Sequence, residues 1–236
     1  MKGLAGRVAI VTGASGGLGS AQADVLAAAG AIVVRADVAP PDDLPAAAHF
    51  RELDVTSSRQ WTRLIEQTEG ALGPVTILVN NAGIILRGGL EETSETDFRR
   101  VLDVDLVGVW LGMAAVVSSM RKGGGGSIVN LSSTAGLVGV PGIMSYVAAK
   151  WAVRGMTKAA AQELAPDGIR VNSVHPGVID TAMNADRAAD PMVAQQPIKR
   201  YGRPEEVARM VAFLASEESS YSTGAEFVVD GGYTSM

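Results

Sequence analysis

Apolar residues fall in short runs along this chain, at residues 8–11, 32–34, 77–79, 127–131, 170–174 and 226–229, with helix-length segments between most of them. Strands that are apolar on both faces and alternate with helices predict a parallel sheet, covered on both sides and joined by right-handed crossovers. The expected fold class is α/β, a doubly wound parallel sheet with helices on both faces, spanning residues 1–236 as a single domain. Ligands of such a sheet bind beyond the carboxyl ends of the strands. There, each run breaks into Gly-, Asn- or Ser-rich sequence.

Two stretches fit the rhythm poorly. Residues 38–50, rich in Pro and Ala, are too short for a helix with its connections. Residues 182–204, rich in Ala, Asp, Met and Pro, lie between strand and helix near the crevice mouth and read as a flap over substrate. The four glycines at 123–126 read as a surface turn between helix and strand.

Composition narrows the class. Hydrophobic residues make up 47% and charged residues 19%, which suits a globule and excludes a disordered or coiled-coil chain. A net charge of -5 and a pI near 5.1 supply no basic stripe, so nucleic acid is not an expected partner. There is no cysteine, and the two histidines, His49 and His175, are too far apart for a zinc cluster, so no metal is expected. The longest apolar stretch, residues 106–117, falls short of the roughly 20 residues that cross a bilayer, so it reads as a buried helix and no membrane partner is expected. A strand-like run begins at residue 7 and leaves no room for a leader, which sets the expected location as cytoplasmic.

After the first strand comes Thr12-Gly13-Ala14-Ser15-Gly16-Gly17-Leu18-Gly19 and then an Ala-rich helical segment. Gly13 suits a tight turn, Gly17 lets backbone approach a pyrophosphate, and Gly19 permits close packing of helix on strand. The spacing differs from G-x-G-x-x-G, so the flanking strand and helix carry the motif. Asp37 closes the second strand eighteen residues beyond Gly19. A carboxylate there accepts hydrogen bonds from both ribose hydroxyls and repels a 2′-phosphate, which favours NAD over NADP. Arg35, two residues earlier, is the alternative: a guanidinium able to reach a phosphate.

Tyr146 and Lys150 stand at i and i+4 in a helix-compatible segment, so both project from one face. Lowering a tyrosine pKa from about 10 to about 7 takes roughly 4 kcal/mol of preferential phenolate stabilisation, which a lysine ammonium in a shielded crevice supplies. Ser133, thirteen residues upstream at the end of a strand, is placed to polarise a carbonyl that Tyr146 protonates. Its neighbour Ser132 would point the other way in a continuing strand and reads as structural.

Taken together, Thr12-Gly-x-x-x-Gly17-x-Gly19, Asn80-Asn81-Ala82-Gly83, Ser133, Tyr146-x-x-x-Lys150 and Pro176-Gly177 resemble the short-chain dehydrogenase/reductase family, over nearly the whole chain and in the family's order. The resemblance implies a Rossmann-type fold and hydride transfer with NAD. It implies that Ser15 and Leu18 join the glycines at the cofactor, that Asp54 and Val55 bind adenine, and that Asn80 to Gly83, with Asn81, Ala82 and Gly83 in contact, shape the cofactor floor. Ile179 and Thr181, following Pro176 and Gly177, would contact the nicotinamide end. Tyr146 would be the general acid/base, Lys150 would lower its pKa and bind the nicotinamide ribose, and Ser133 would hold the substrate oxygen.

One position departs from the family pattern. Within Val104-Asp105-Leu106-Val107-Gly108 the family usually has asparagine where Asp105 stands, supporting a helix irregularity and a proton path to the lysine. An ionised carboxylate accepts but cannot donate, and its charge near Lys150 favours the ammonium. Asp105 therefore joins the catalytic candidates, with a purely structural role as the alternative.

The segments at 145–155 and 219–225 resemble bacterial hydroxysteroid dehydrogenases, and the residues expected to face substrate, Ile84, Ile85, Ala135, Ile143, Met144 and Met183, are apolar. The expected substrate is a hydrophobic secondary alcohol or ketone, steroidal, cyclic or aromatic. A 3-oxoacyl-carrier-protein reductase is the rival enzyme, against which Asp37 counts. A non-catalytic nucleotide-binding protein is the rival of another class, against which the intact Ser-Tyr-Lys set counts. The resemblance also implies a homotetramer, with the helices around 97–117 and 146–164 at interfaces and the C-terminal residues 227–236 at another contact.

Overall fold

The computed structural model describes residues 1–41, 49–184 and 191–235. Its centre is a seven-stranded sheet in the order β3-β2-β1-β4-β5-β6-β7, parallel throughout. The strands are β1 Val8–Thr12, β2 Ile32–Asp37, β3 His49–Glu52, β4 Val75–Asn80, β5 Gly126–Leu131, β6 Ile169–Pro176 and β7 Glu226–Val229. The helices are α1 Gly17–Ala28, α2 Ser58–Leu72, α3 Glu95–Leu102, α4 Gly108–Lys122, α5 Met144–Leu164, α6 Pro191–Gln195 and α7 Pro204–Ala215.

The inner strands read as apolar-rich runs because both of their faces are buried. Ile10, Leu78 and Ile128 enter a core with Trp61, Val109, Met113 and Val153 of α2, α4 and α5. Their neighbours Val11, Val79 and Val129 face the opposite core, built with Leu26 of α1 and Val207 and Val211 of α7. Fully burying each such side chain contributes about 1.5–3 kcal/mol, which sets the register of the sheet.

That register aligns the strand ends. Val11 sits beside Val79, Asn80 beside Asn130, and Leu131 beside Val174. The segments that follow β1, β4, β5 and β6 therefore open on one edge, at the switch between strand orders. A buried polar chain fixes α5 there: Asn80 donates to Asn130 at 2.9 Å, and Asn130 donates to the Thr157 hydroxyl at 3.0 Å.

The polarity pattern missed β3. Its sequence, His-Phe-Arg-Glu, has no apolar run, because an edge strand paired only with β2 needs no second buried face. Residues 42–48 of the Pro- and Ala-rich stretch, and residues 185–190 of the expected flap, lie outside the described residues. The described ends of that flap are a short turn at Ala182–Asn184 and α6.

The apolar stretch at 106–117 is buried on one side only. Residues Glu95–Lys122 form a continuous helix of 28 residues, long and apolar enough by composition to cross a membrane. In this fold one side packs on β4, α2 and β5, and Asp105 is buried within it, while Trp110 is 54% exposed.

Candidate functional site

The turn after β1 is built for close approach. Gly13 and Gly17 have φ of +64° and +52°, a region that favours glycine. A side chain on Gly19 would run into the Gly13 carbonyl and lie 2.6 Å from the Asn81 amide nitrogen. No side chain caps the first turn of α1, whose N-cap is Gly16, so its amides are left for an anion. Thr12 Oγ1 accepts from the backbone of Asn81 and of Ala82, each at 3.0 Å, and the Asn81 side chain donates to the Thr12 carbonyl at 2.9 Å. These bonds stitch the β4 loop to the glycine turn.

At the end of β2, Asp37 accepts from the Ser15 amide at 2.9 Å and from the Val38 amide at 2.8 Å. Arg35 points elsewhere. It pairs with Asp24 of α1 at 2.5 Å, and only 7% of its side chain is exposed.

A cavity of about 1250 Å³ runs along the open edge of the sheet. Its walls include Gly13, Gly17, Leu18, Gly19, Asp37, Asp54, Val55, Asn81, Ala82, Gly83, Pro176, Gly177, Ile179 and Thr181, and at one end Ser133, Tyr146 and Lys150. Ser15 stands outside this lining; its amide serves Asp37 instead, and its hydroxyl bonds the Ala39 carbonyl. Ile84, Ile85, Ala135, Ile143 and Met183 also line the cavity. Met144, expected among them, is 45% exposed and lies outside the lining, because the first turn of α5 directs it outward.

Ser133 ends the strand segment in extended conformation, and its Oγ accepts from the Ala135 amide at 3.1 Å. A hydroxyl used as acceptor in this way keeps its proton for another oxygen. Ser132 is buried and donates to the Lys150 carbonyl at 2.9 Å, a bond within the scaffold. The Lys150 ammonium lies 5.2 Å from the centre of the Tyr146 ring and donates to the Leu131 carbonyl at 3.1 Å.

Asp105 completes this group. The helix widens between α3 and α4, where the Gly108 amide reaches back five residues to the Asp103 carbonyl. The widened turn aims Asp105 inward, so that Oδ1 accepts from the Ile84 amide at 2.8 Å and Oδ2 lies 3.0 Å from Lys150 Nζ. The latter is a charge contact rather than an aligned hydrogen bond. Gly83 closes over the pair: a Cβ there would sit 2.8 Å from Oδ2.

Electrostatics differ from the expectation of a lysine that simply depresses its tyrosine. Burial pushes the Tyr146 phenol above its ordinary value; Lys150 opposes this, Asp105 adds to it, and Ser133 opposes it. The net direction is upward. Burial alone would lower the Lys150 pKa, but Asp105 and Tyr146 outweigh it and hold the ammonium. Asp105 is itself raised by burial, against Lys150 and the Ile84 amide.

A family profile described as enoyl-(acyl carrier protein) reductase matches residues 13–234. The 3-alpha-(or 20-beta)-hydroxysteroid dehydrogenase of Mycobacterium tuberculosis is 46% identical over 235 residues, covering 97% of this chain and 90% of that protein. The chain belongs to the short-chain dehydrogenase/reductase family. Members of this family are oxidoreductases that use a nicotinamide dinucleotide, and the glycine turn, uncapped helix and acidic strand end fit such a group. The trans-4-hydroxycyclohexanecarboxylate dehydrogenase of Sinomonas cyclohexanicum is 42% identical, covering 98% of this chain and 94% of that protein. The NADP-dependent (R)-specific alcohol dehydrogenase of Lentilactobacillus kefiri is also 42% identical, covering 99% and 98%. Ligand-free Thermoplasma acidophilum aldohexose dehydrogenase superposes with a TM-score of 0.92 at 35% identity, covering 99% and 96%.

Several residues of this short-chain dehydrogenase/reductase site carried no sequence signal. Tyr233 and Gln195 reach the cavity from the C-terminal loop and from α6. Arg100 and Val104 also line it, and their i, i+4 spacing on one helix was the only pointer to a shared face.

Proposed function

We propose that this protein is an NAD-dependent enzyme that interconverts a hydrophobic secondary alcohol and its ketone, of steroidal, cyclic or aromatic type, with Ser133, Tyr146, Lys150 and Asp105 as the catalytic group. The observation that carries the reading is that a single cavity joins the glycine turn and Asp37 to this group, with Ile84, Ile85 and Ile143 as an apolar wall beside it. The cyclic and steroidal alcohols named for its relatives fit that wall.

Gly13, Gly17 and the first turn of α1 would hold the pyrophosphate, Asp37 the adenosine ribose, and Ile179 and Thr181 the nicotinamide end. Bound there, the nicotinamide would supply or take up the hydride. The Ser133 hydroxyl, its lone pair engaged by Ala135, donates to the substrate oxygen. Tyr146, kept protonated by burial, gives its proton to that oxygen in ketone reduction, and Lys150 stabilises the phenolate that remains. Acid/base catalysis of this kind contributes about 10²–10⁴-fold.

Two observations favour NAD: the carboxylate of Asp37 facing the cavity, and the engagement of Arg35 with Asp24 away from any 2′-phosphate. The homotetramer belongs to the same proposal. Trp110 of α4 and Trp151 of α5 are 54% and 46% exposed, large apolar surfaces on the two helices assigned to its interfaces.

The test is a kcat/KM comparison with NAD and NADP over hydroxysteroids, cyclohexanols and acetoacetyl thioesters. NAD with a cyclic or steroidal alcohol should lead. Preferred reduction of the thioester with NADPH would replace this reading with the acyl-carrier-protein reductase.

A further inference from the structure

His175 is wholly buried as the penultimate residue of β6, outside the catalytic group. Its Nδ1 lies 3.2 Å from the Ser133 carbonyl oxygen, and its Nε2 lies 2.9 Å from the Ser173 hydroxyl. A carbonyl only accepts, so Nδ1 carries the proton. In a neutral ring Nε2 must then accept, and the Ser173 hydroxyl donates to it; the other acceptor near that hydroxyl, the Ala225 carbonyl, is farther away at 3.5 Å. The three distances agree on one tautomer.

The Ser133 carbonyl also accepts from the Gly136 amide at 2.9 Å, while its hydroxyl accepts from Ala135. Both ends of this residue are thus tied down. Among the described residues, His175 ties the Ser133 carbonyl to β6, beside the Ser132 amide, which donates to the Val174 carbonyl at 2.8 Å. Gly136 is braced in turn by Arg154 of α5, which donates to its carbonyl at 2.7 Å and pairs with Glu226 of β7.

We infer that His175 is a positioning residue: as the neutral Nδ1–H tautomer it clamps the Ser133 peptide, so that the Ser133 hydroxyl meets the substrate oxygen. The inference rests on the proposed role of Ser133. Burial lowers the imidazole pKa, more than the Ser133 carbonyl and Glu226 restore it, and Arg154 and Lys158 oppose a second proton as well. The ring therefore stays neutral at physiological pH.

Asparagine can present an amide N–H where Nδ1 stood, whereas glutamine presents one near Nε2. His175→Asn should keep kcat within about threefold of wild type, while His175→Gln should lose about ten- to a hundredfold, the scale of a misplaced catalytic group. The dissociation constant for NADH, followed by fluorescence, should be the same in all three proteins, since Ser133 acts on the substrate. Equal losses in the two variants, or a loss shared by NADH binding, would overturn the inference. Should either variant fail to fold, ¹⁵N NMR of the imidazoles decides: a neutral ring protonated on Nδ1, retained in His49→Gln, supports the clamp, and Nε2 protonation rejects it. This spectrum is independent of turnover, so failure of the proposed function and failure of the clamp remain distinguishable.

Discussion

The Asp105 carboxylate lies 3.0 Å from the Lys150 ammonium, with both side chains almost wholly shut away from solvent. In the proposed mechanism alcohol oxidation uses the Tyr146 phenolate, so log kcat/KM for that direction should rise with pH through the phenol pKa. An ionised Asp105 raises that pKa by direct repulsion; it also helps hold the Lys150 ammonium against burial, but the Tyr146 phenolate does the same, so the repulsion is the part that Asp105→Asn removes. Asp105→Asn should therefore move the rising limb to lower pH, with little change of shape. A pair of superimposable profiles would show that the Asp105 charge does not reach the phenol.

The same pair governs stability. Removing one partner of a buried ion pair leaves an uncompensated charge at a cost of about 3–5 kcal/mol. Lys150→Met should thus lower the urea midpoint strongly, and adding Asp105→Asn should restore most of it, measured at one protein concentration because the proposed assembly would add to apparent stability. Simply additive losses would mean that the two groups are not coupled.

Tyr146→Phe removes the phenolic hydroxyl and keeps the ring. NADH should bind as to wild type by fluorescence titration, while turnover falls by about 10²–10⁴-fold. Turnover above about a tenth of wild type would remove Tyr146 from the acid/base role.

Cofactor choice should yield to a change at the end of β2. Asp37→Ala, alone or with Val38→Arg, should raise kcat/KM for NADP relative to NAD by removing a carboxylate that repels the 2′-phosphate. A wild-type enzyme that already prefers NADP would mean that Asp37 does not set the choice.

Much of this protein was written in local pattern. Six of the seven strands stood out as apolar-rich runs; the five inner ones must bury two faces, while the edge strand β7 is only partly buried and stood out through Phe227, Val228 and Val229. The Gly13–Gly19 turn was legible because φ and close approach leave no room for a Cβ, and the Tyr146 and Lys150 spacing because a helix repeats every 3.6 residues. These constraints act within a few residues of chain, so the sequence alone determined them. The edge strand β3 escaped: pairing with one neighbour permits a polar strand, and His-Phe-Arg-Glu has one apolar residue where the other edge strand, β7, has three.

Tertiary structure decided which distant groups meet. Asp105 and Lys150 are 45 positions apart, and a widened helical turn, not their spacing, aims one at the other. Whether Arg35 faced the cavity or α1 turned on Asp24 standing beside it. The direction of the Tyr146 shift likewise rested on the sum of burial and three neighbours from separate elements. Electrostatic energies depend on distance and desolvation, and neither exists until the sheet and its helices have closed around the charges.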